Sequence, residues 1–92
     1  MNASPEILHN AAVGRFEVRA GSDVAVLDYS VADRTITFVH TGVPSEMEGR
    51  GVGSRLARAG LEYARREGLK VVPQCPFIRS YMERHEEYRS LL

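Results

Sequence analysis

Three glycines at alternate positions, Gly49, Gly51 and Gly53 in the stretch SEMEGRGVGSRL, stand directly ahead of a run with helical spacing. Ordered glycine costs backbone entropy, so such a cluster implies either a turn or a close approach of the main chain to something else. At a helix amino end the first four amides lack intrahelical partners, and the dipole favours negative charge. The amides of Gly49, Arg50, Gly51, Val52, Gly53, Ser54 and Arg55 therefore form a candidate phosphate site, with a plain connecting loop as the competing reading. The spacing is not GxxxxGK[ST], because Ser54 and Arg55 follow Gly53, and it is not GxGxxG. Two other side chains could move protons. His40 is of the residue type that titrates near neutrality, but it shares a strand face with Ile36 and Phe38, where a structural histidine is the alternative. Cys75 lies between Pro73 and Pro76, where a helix amino end would favour thiolate; a small buried packing residue is the alternative.

These groups need a scaffold, and the hydrophobic pattern supplies one. Arg15 to Ala20 alternates, with Phe16 and Val18 on one side and Arg15, Glu17 and Arg19 on the other. After the turn residues Gly21 to Asp23, Leu27, Tyr29 and Val31 share a face; Asp33 and Arg34 then lead into Thr35 to Val43. Three strands with short turns predict an antiparallel meander, stopped by Pro44. From Val52 the period becomes helical: Val52, Leu56, Gly60 and Tyr63 make a stripe widened by Ala57, Leu61 and Ala64. Arg58 with Glu62, and Glu62 with Arg66, have ion-pair spacing. Gly68 is placed as a cap, and Leu69 to Val72 reads as a short strand parallel to the one ending at Val43. A final helix from Pro76 carries Phe77, Tyr81, Arg84 and Tyr88 at helical spacing. The fold class is α+β, a mixed sheet in a single domain over residues 1–92. Residues 1–12 are expected to be flexible, with His9 solvated there and His85 solvated among charges.

Composition narrows the functions. The chain has 92 residues, 43% hydrophobic and 26% charged, enough for one compact core. Lys+Arg and Asp+Glu are 12 each, so no global field draws it to nucleic acid or an anionic membrane, and any anion site is local. A lone cysteine excludes an internal disulfide and a cysteine-based metal site, and suits a reducing cytosol. The start, MNASPEILHN, lacks a cationic flank before an apolar core, and no apolar run approaches the roughly 20 residues that span a bilayer.

The segment GRGVGSRL after a strand, with a tyrosine-bearing helix after the next strand, resembles the acetyl-coenzyme A loop of GCN5-related N-acetyltransferases. HTGVPSEMEGRGVGSRL and GLKVVPQCPFIRSYMERHEEY are similar to the small one-domain branch of that family, most clearly from His40 to Tyr88 and back to about Arg15. Gly51 and Gly53 fill the family's glycine positions. Glu48 stands where the family has Gln or Arg and must therefore point away from the phosphates, and Gly42 stands where the branch carries Glu. The resemblance implies acetyl transfer from acetyl-coenzyme A to an amine, with main-chain groups at Thr41 to Val43 meeting the thioester carbonyl and Arg50, Arg55 or solvent replacing the missing cation. It makes Tyr81 the match for a tyrosine that protonates the leaving thiolate, with core packing as the alternative. For such a transfer, a Cys75 thiolate at a helix amino end is a candidate transient acetyl carrier or base. The early helices that shape an acceptor pocket are lacking, so a coenzyme-binding module without chemistry is a second reading. A third is an interaction domain using Arg55, Arg58, Arg65 and Arg66, which the interleaved glutamates oppose. The acceptor and the oligomeric state stay open.

Overall fold

Alternation builds most of the sheet in the computed structural model, which describes residues 6–92. Strand β2 (Arg15–Ala20) buries Phe16 and Val18, and β3 (Asp23–Ala32) buries Ala25, Leu27 and Tyr29. Strand β4 (Thr35–Gly42) buries Ile36 and Phe38. The three form the expected antiparallel meander. A further strand, β1 (Ile7–Asn10), pairs antiparallel with β2, Ile7 opposite Val18 and His9 opposite Phe16. Within the segment expected to be flexible, Ile7–Asn10 is thus strand-paired, and residues 1–5 lie outside the described residues. The strand is short, and one of its helix-side side chains is an exposed histidine, so hydropathy does not mark it. The His9 ring stacks on Phe16 with centroids 4.0 Å apart, its edge meets Tyr63 at 4.5 Å, and Nε2 lies 2.6 Å from the Tyr29 hydroxyl.

Helix α1 (Val52–Glu67) crosses the sheet and buries Val52, Leu56, Ala57, Gly60, Leu61 and Ala64, the predicted stripe. Gly60 is required by closeness: a Cβ there would sit 2.7 Å from Phe38 Cε1 and 2.9 Å from Leu27 Cδ2. Gly68 caps the helix, its amide reaching the Ala64 and Arg65 carbonyls. Glu62 pairs with Arg65 at 3.4 Å rather than with Arg58 or Arg66. Strand β5 (Lys70–Pro73) then lies parallel to β4, completing the order β1-β2-β3-β4-β5.

Helix α2 (Pro76–Arg84) buries Ile78, Tyr81 and Met82 in the same core as α1. It stops before the predicted end at Tyr88, because His85 takes an extended φ of -129° and residues Glu86–Leu91 form a 3-10 helix. That segment is tied to α1: the Tyr88 hydroxyl donates to Glu62 at 2.7 Å, and the Arg65 guanidinium lies 4.9 Å over the Tyr88 ring. His85 is half-buried, with Nδ1 2.8 Å from the Tyr81 carbonyl, rather than solvated. Both helices cover one face of the sheet. On the other face Leu8, Val39 and Val72 stay 41–46% exposed, and the ion pairs Arg15–Asp28 and Arg19–Glu17 lie on β2 and β3.

The β3–β4 ladder breaks register between Asp28 and Tyr29. Tyr29 faces Phe38, but Asp28 faces His40, so Val39 is an extra residue in β4. The insertion reverses the side-chain parity of everything after it. Thr41 comes opposite Leu27 and turns to the helix-covered side, while His40 and Gly42 turn outward beside Asp28 and Val26. His40 therefore does not share the face of Ile36 and Phe38, as strict alternation predicts. Pairing of β4 with β5 runs only from Thr35–Lys70 to Phe38–Pro73, followed by the Cys75 amide donating to the Phe38 carbonyl at 2.8 Å. Beyond Phe38, β4 continues with β3 alone.

Candidate functional site

The glycine loop enters α1 through two left-handed residues, Gly49 at φ 79° and Gly51 at φ 73°, a conformation that costs other residues about 1–2 kcal/mol. Gly53 has a different reason: a Cβ there would meet Phe77 Cζ at 2.9 Å, so its bareness lets α2 close on α1. No side chain caps α1, and its first turn carries no acidic residue. The Arg55 amide donates to the Gly51 carbonyl at 3.0 Å, opening the helical ladder. The amides of Val52, Gly53 and Ser54 precede that bond and lie at the positive end of the helix dipole.

These amides face a cleft of about 490 Å³. Its far wall is the end of β4, through Thr41 and Val43; Met47, Glu48, Gly49, Gly51, Val52, Gly53, Ser54 and Phe77 complete it. Arg50 and Arg55, expected among the binding residues, do not line it. Glu48, expected to point away, borders it. Met47 and Phe77 escaped the sequence reading; the signal available was Phe77 following Pro76 in the first turn of a helix whose amino end faces the loop.

Cys75 is the N-cap of α2 and is 5% exposed. Its Sγ lies 3.2 Å from the Thr41 hydroxyl, a contact that exists because the bulge turned Thr41 inward. Burial pushes the Cys75 thiol up, but hydrogen bonds from the Thr41 hydroxyl and from the amides of Ile78, Phe77 and Thr41 outweigh it, leaving the thiol below its ordinary value. The structure thus brings Cys75 against a residue of the cleft wall. Tyr81 is not brought there. It is 5% exposed, stacks on His85 with centroids 3.9 Å apart and packs near Tyr88, and burial raises its pKa. The position one turn earlier, Phe77, lines the cleft, and the buried Tyr81 side chain also fills the core, the alternative its spacing left open. The basic residues of the interaction reading are partly consumed by the fold, since Arg65 holds Glu62, the Glu87 carbonyl and the Tyr88 ring.

Residues 15–91 match the family model for GCN5-related N-acetyl-transferase. The chain belongs to that family. Among similar proteins, Protein NATD1 of Xenopus tropicalis is 33% identical over 85 residues, spanning 89% of this chain and 78% of that protein. Protein NATD1 of Homo sapiens is 36% identical over 78 residues, spanning 82% and 69%. The solution NMR structure of a GCN5-like protein from Staphylococcus aureus superposes with a TM-score of 0.76 at 29% identity, covering 98% of this chain and 89% of that one. The mixed five-stranded sheet with its uncovered face is thus this chain's version of the GCN5-related fold.

Proposed function

We propose that this GCN5-related family member binds acetyl-coenzyme A in the cleft between α1 and the end of β4 and passes the acetyl group to an amine. The observation that carries this reading is the uncapped amino end of α1, with no acidic residue in its first turn, facing a β4 edge that β5 leaves unpaired. The coenzyme supplies an acetyl thioester, already activated toward amines. The amides from Gly49 to Ser54 take the pyrophosphate, where bare glycines let phosphate oxygens approach. Arg50 and Arg55 flank that end and contribute positive potential. The open β4 edge from Thr41 to Val43 offers main-chain groups to the pantetheine chain and the thioester carbonyl. Holding both reactants there accounts for most of the acceleration. Cys75, whose Sγ lies 3.2 Å from the Thr41 hydroxyl, is the proton source, since a thiol of lowered pKa readily gives its proton to a departing thiolate.

Ser54→Glu tests the binding half. Ser54 is exposed in the first turn of α1, where a carboxylate favours the helix by about 0.3–1 kcal/mol yet repels phosphate. Calorimetry is expected to show acetyl-coenzyme A affinity falling at least about tenfold, with a melting temperature equal to or above that of the parent. Undiminished affinity in that variant contradicts the site. Thiol release from acetyl-coenzyme A across an amine panel tests the transfer, and intact-protein mass spectrometry reads any acetyl left on Cys75.

A further inference from the structure

Strand β1 is an edge strand of four residues, with Ile7 half-buried and Leu8, His9 and Asn10 exposed, so its hold on the molecule depends on few side chains. The His9 ring, open at its rim, nonetheless meets three elements at once. It stacks on Phe16 of β2 with centroids 4.0 Å apart, meets the Tyr63 ring of α1 edge-on at 4.5 Å, and sets Nε2 2.6 Å from the Tyr29 hydroxyl of β3. That hydroxyl has Tyr63 as a second hydrogen-bond partner. One imidazole therefore joins the edge strand to the helix layer. The turn that follows β1 is anchored separately. The Gly14 carbonyl accepts from the Tyr29 amide at 2.9 Å, and Gly14, at φ 74°, lies so close to the Tyr29 carbonyl that a Cβ there would collide with it. If His9 lets go, β1 can swing about the Asn10–Gly14 turn while β2 and β3 stay in place.

We propose that β1 is a pH-sensitive latch: the neutral His9 ring holds it against α1, and protonation of that ring releases it, uncovering Phe16 and widening the cleft bordered by Ala11, Val13, Gly14, Tyr29 and Tyr63. The surroundings of the ring set the sign. From α1 it is faced by Tyr63 and by Arg66, and from β3 by Tyr29. From β2 it is faced by Phe16, while Arg15 and Glu17 stand on the opposite face of that strand, held by Asp28 and Arg19. The neighbouring rings shield the imidazole from water, and the Arg66 guanidinium adds a like charge. Burial first and Arg66 second thus place the His9 pKa below its ordinary value of 6.5. Because the docked value lies below the free one, the latch is at full strength above the free histidine range. It weakens as the pH falls through the lower, docked value.

Amide exchange followed by NMR at about pH 7.5 and about pH 5.5, with rates corrected for their intrinsic pH dependence, tests the latch without any coenzyme. In the parent, protection of Ile7 to Asn10 is expected to fall at least about threefold at the lower pH, with protection in β3 unchanged. His9→Phe keeps a ring for the stack but cannot take a proton, and its β1 protection is expected to be the same at both values. Arg66→Gln removes the like charge. It is expected to raise the His9 titration midpoint, read from the ring proton shifts, and to shrink the loss of β1 protection at acid pH. Equal parental protection of β1 at the two values overturns the proposal, whether or not the ring titrates between them. So does a fall shared equally by β3, which is global unfolding, or a His9→Phe protein that loses β1 protection as the parent does.

Discussion

The two halves of β4 are built from one strand and do opposite work. From Thr35 to Phe38 it lies between β3 and β5, with Ile36 and Phe38 fully buried under α1. From Val39 to Gly42 it has β3 alone, carries the bulge, and exposes or half-exposes every side chain. Satisfied backbone groups and buried rings make the first half the anchor of the core. An open edge makes the second half able to pair with something other than protein. The bulge also divides labour by face, sending Thr41 to Cys75 on the helix side and His40 to the open side. A site can thus be made by stopping a ladder four residues early and inserting one residue, without any change of fold.

The contrast is sharpest in stability. Phe38→Ala is expected to cost about 3–5 kcal/mol, read as a large fall in the urea midpoint. Val39→Ala, one position along but 41% exposed, should stay within about 0.5 kcal/mol, and a large loss there would dissolve the distinction between the halves. Gly60→Val, which presses on Phe38 and Leu27, should cost about 1–3 kcal/mol without touching the cleft. On the site side, Glu48→Gln should leave the melting temperature alone and tighten acetyl-coenzyme A about threefold to tenfold, because an exposed carboxylate at the cleft border repels phosphate through a solvent-screened field. The smallest effect is local: Thr41→Val removes a hydrogen bond that favours the Cys75 thiolate, so the pH at which iodoacetamide reacts half-maximally should move upward.

How much of this was legible follows the same division. Strict alternation exposed β2, β3 and the first half of β4, and the change of period at Val52 exposed α1 with its buried stripe. Gly49 and Gly51 were readable as a loop needing unusual backbone, while Gly53 looked identical and is bare for Phe77. A bulge has no signature in a period-two pattern, so His40 was assigned the wrong face and the Thr41–Cys75 contact was invisible. Strand β1 was hidden because His9, though exposed, is a polar letter whose ring stacks on Phe16 as an aromatic one does. Tyr81 and Phe77 sit one turn apart on the same helix, and only packing decides which of them meets the cleft.

The central claim is that bare amides at the entrance to α1 hold the phosphates of the acetyl donor. Amide NMR during titration with acetyl-coenzyme A tests it most directly. The account predicts the largest shifts at Gly51, Val52, Gly53 and Ser54, with a second group at Thr41 and Val43 along the open edge of β4. Shifts gathered instead around the cleft bordered by Gly14, Tyr29 and Tyr63, with the α1 entrance unmoved, would contradict it.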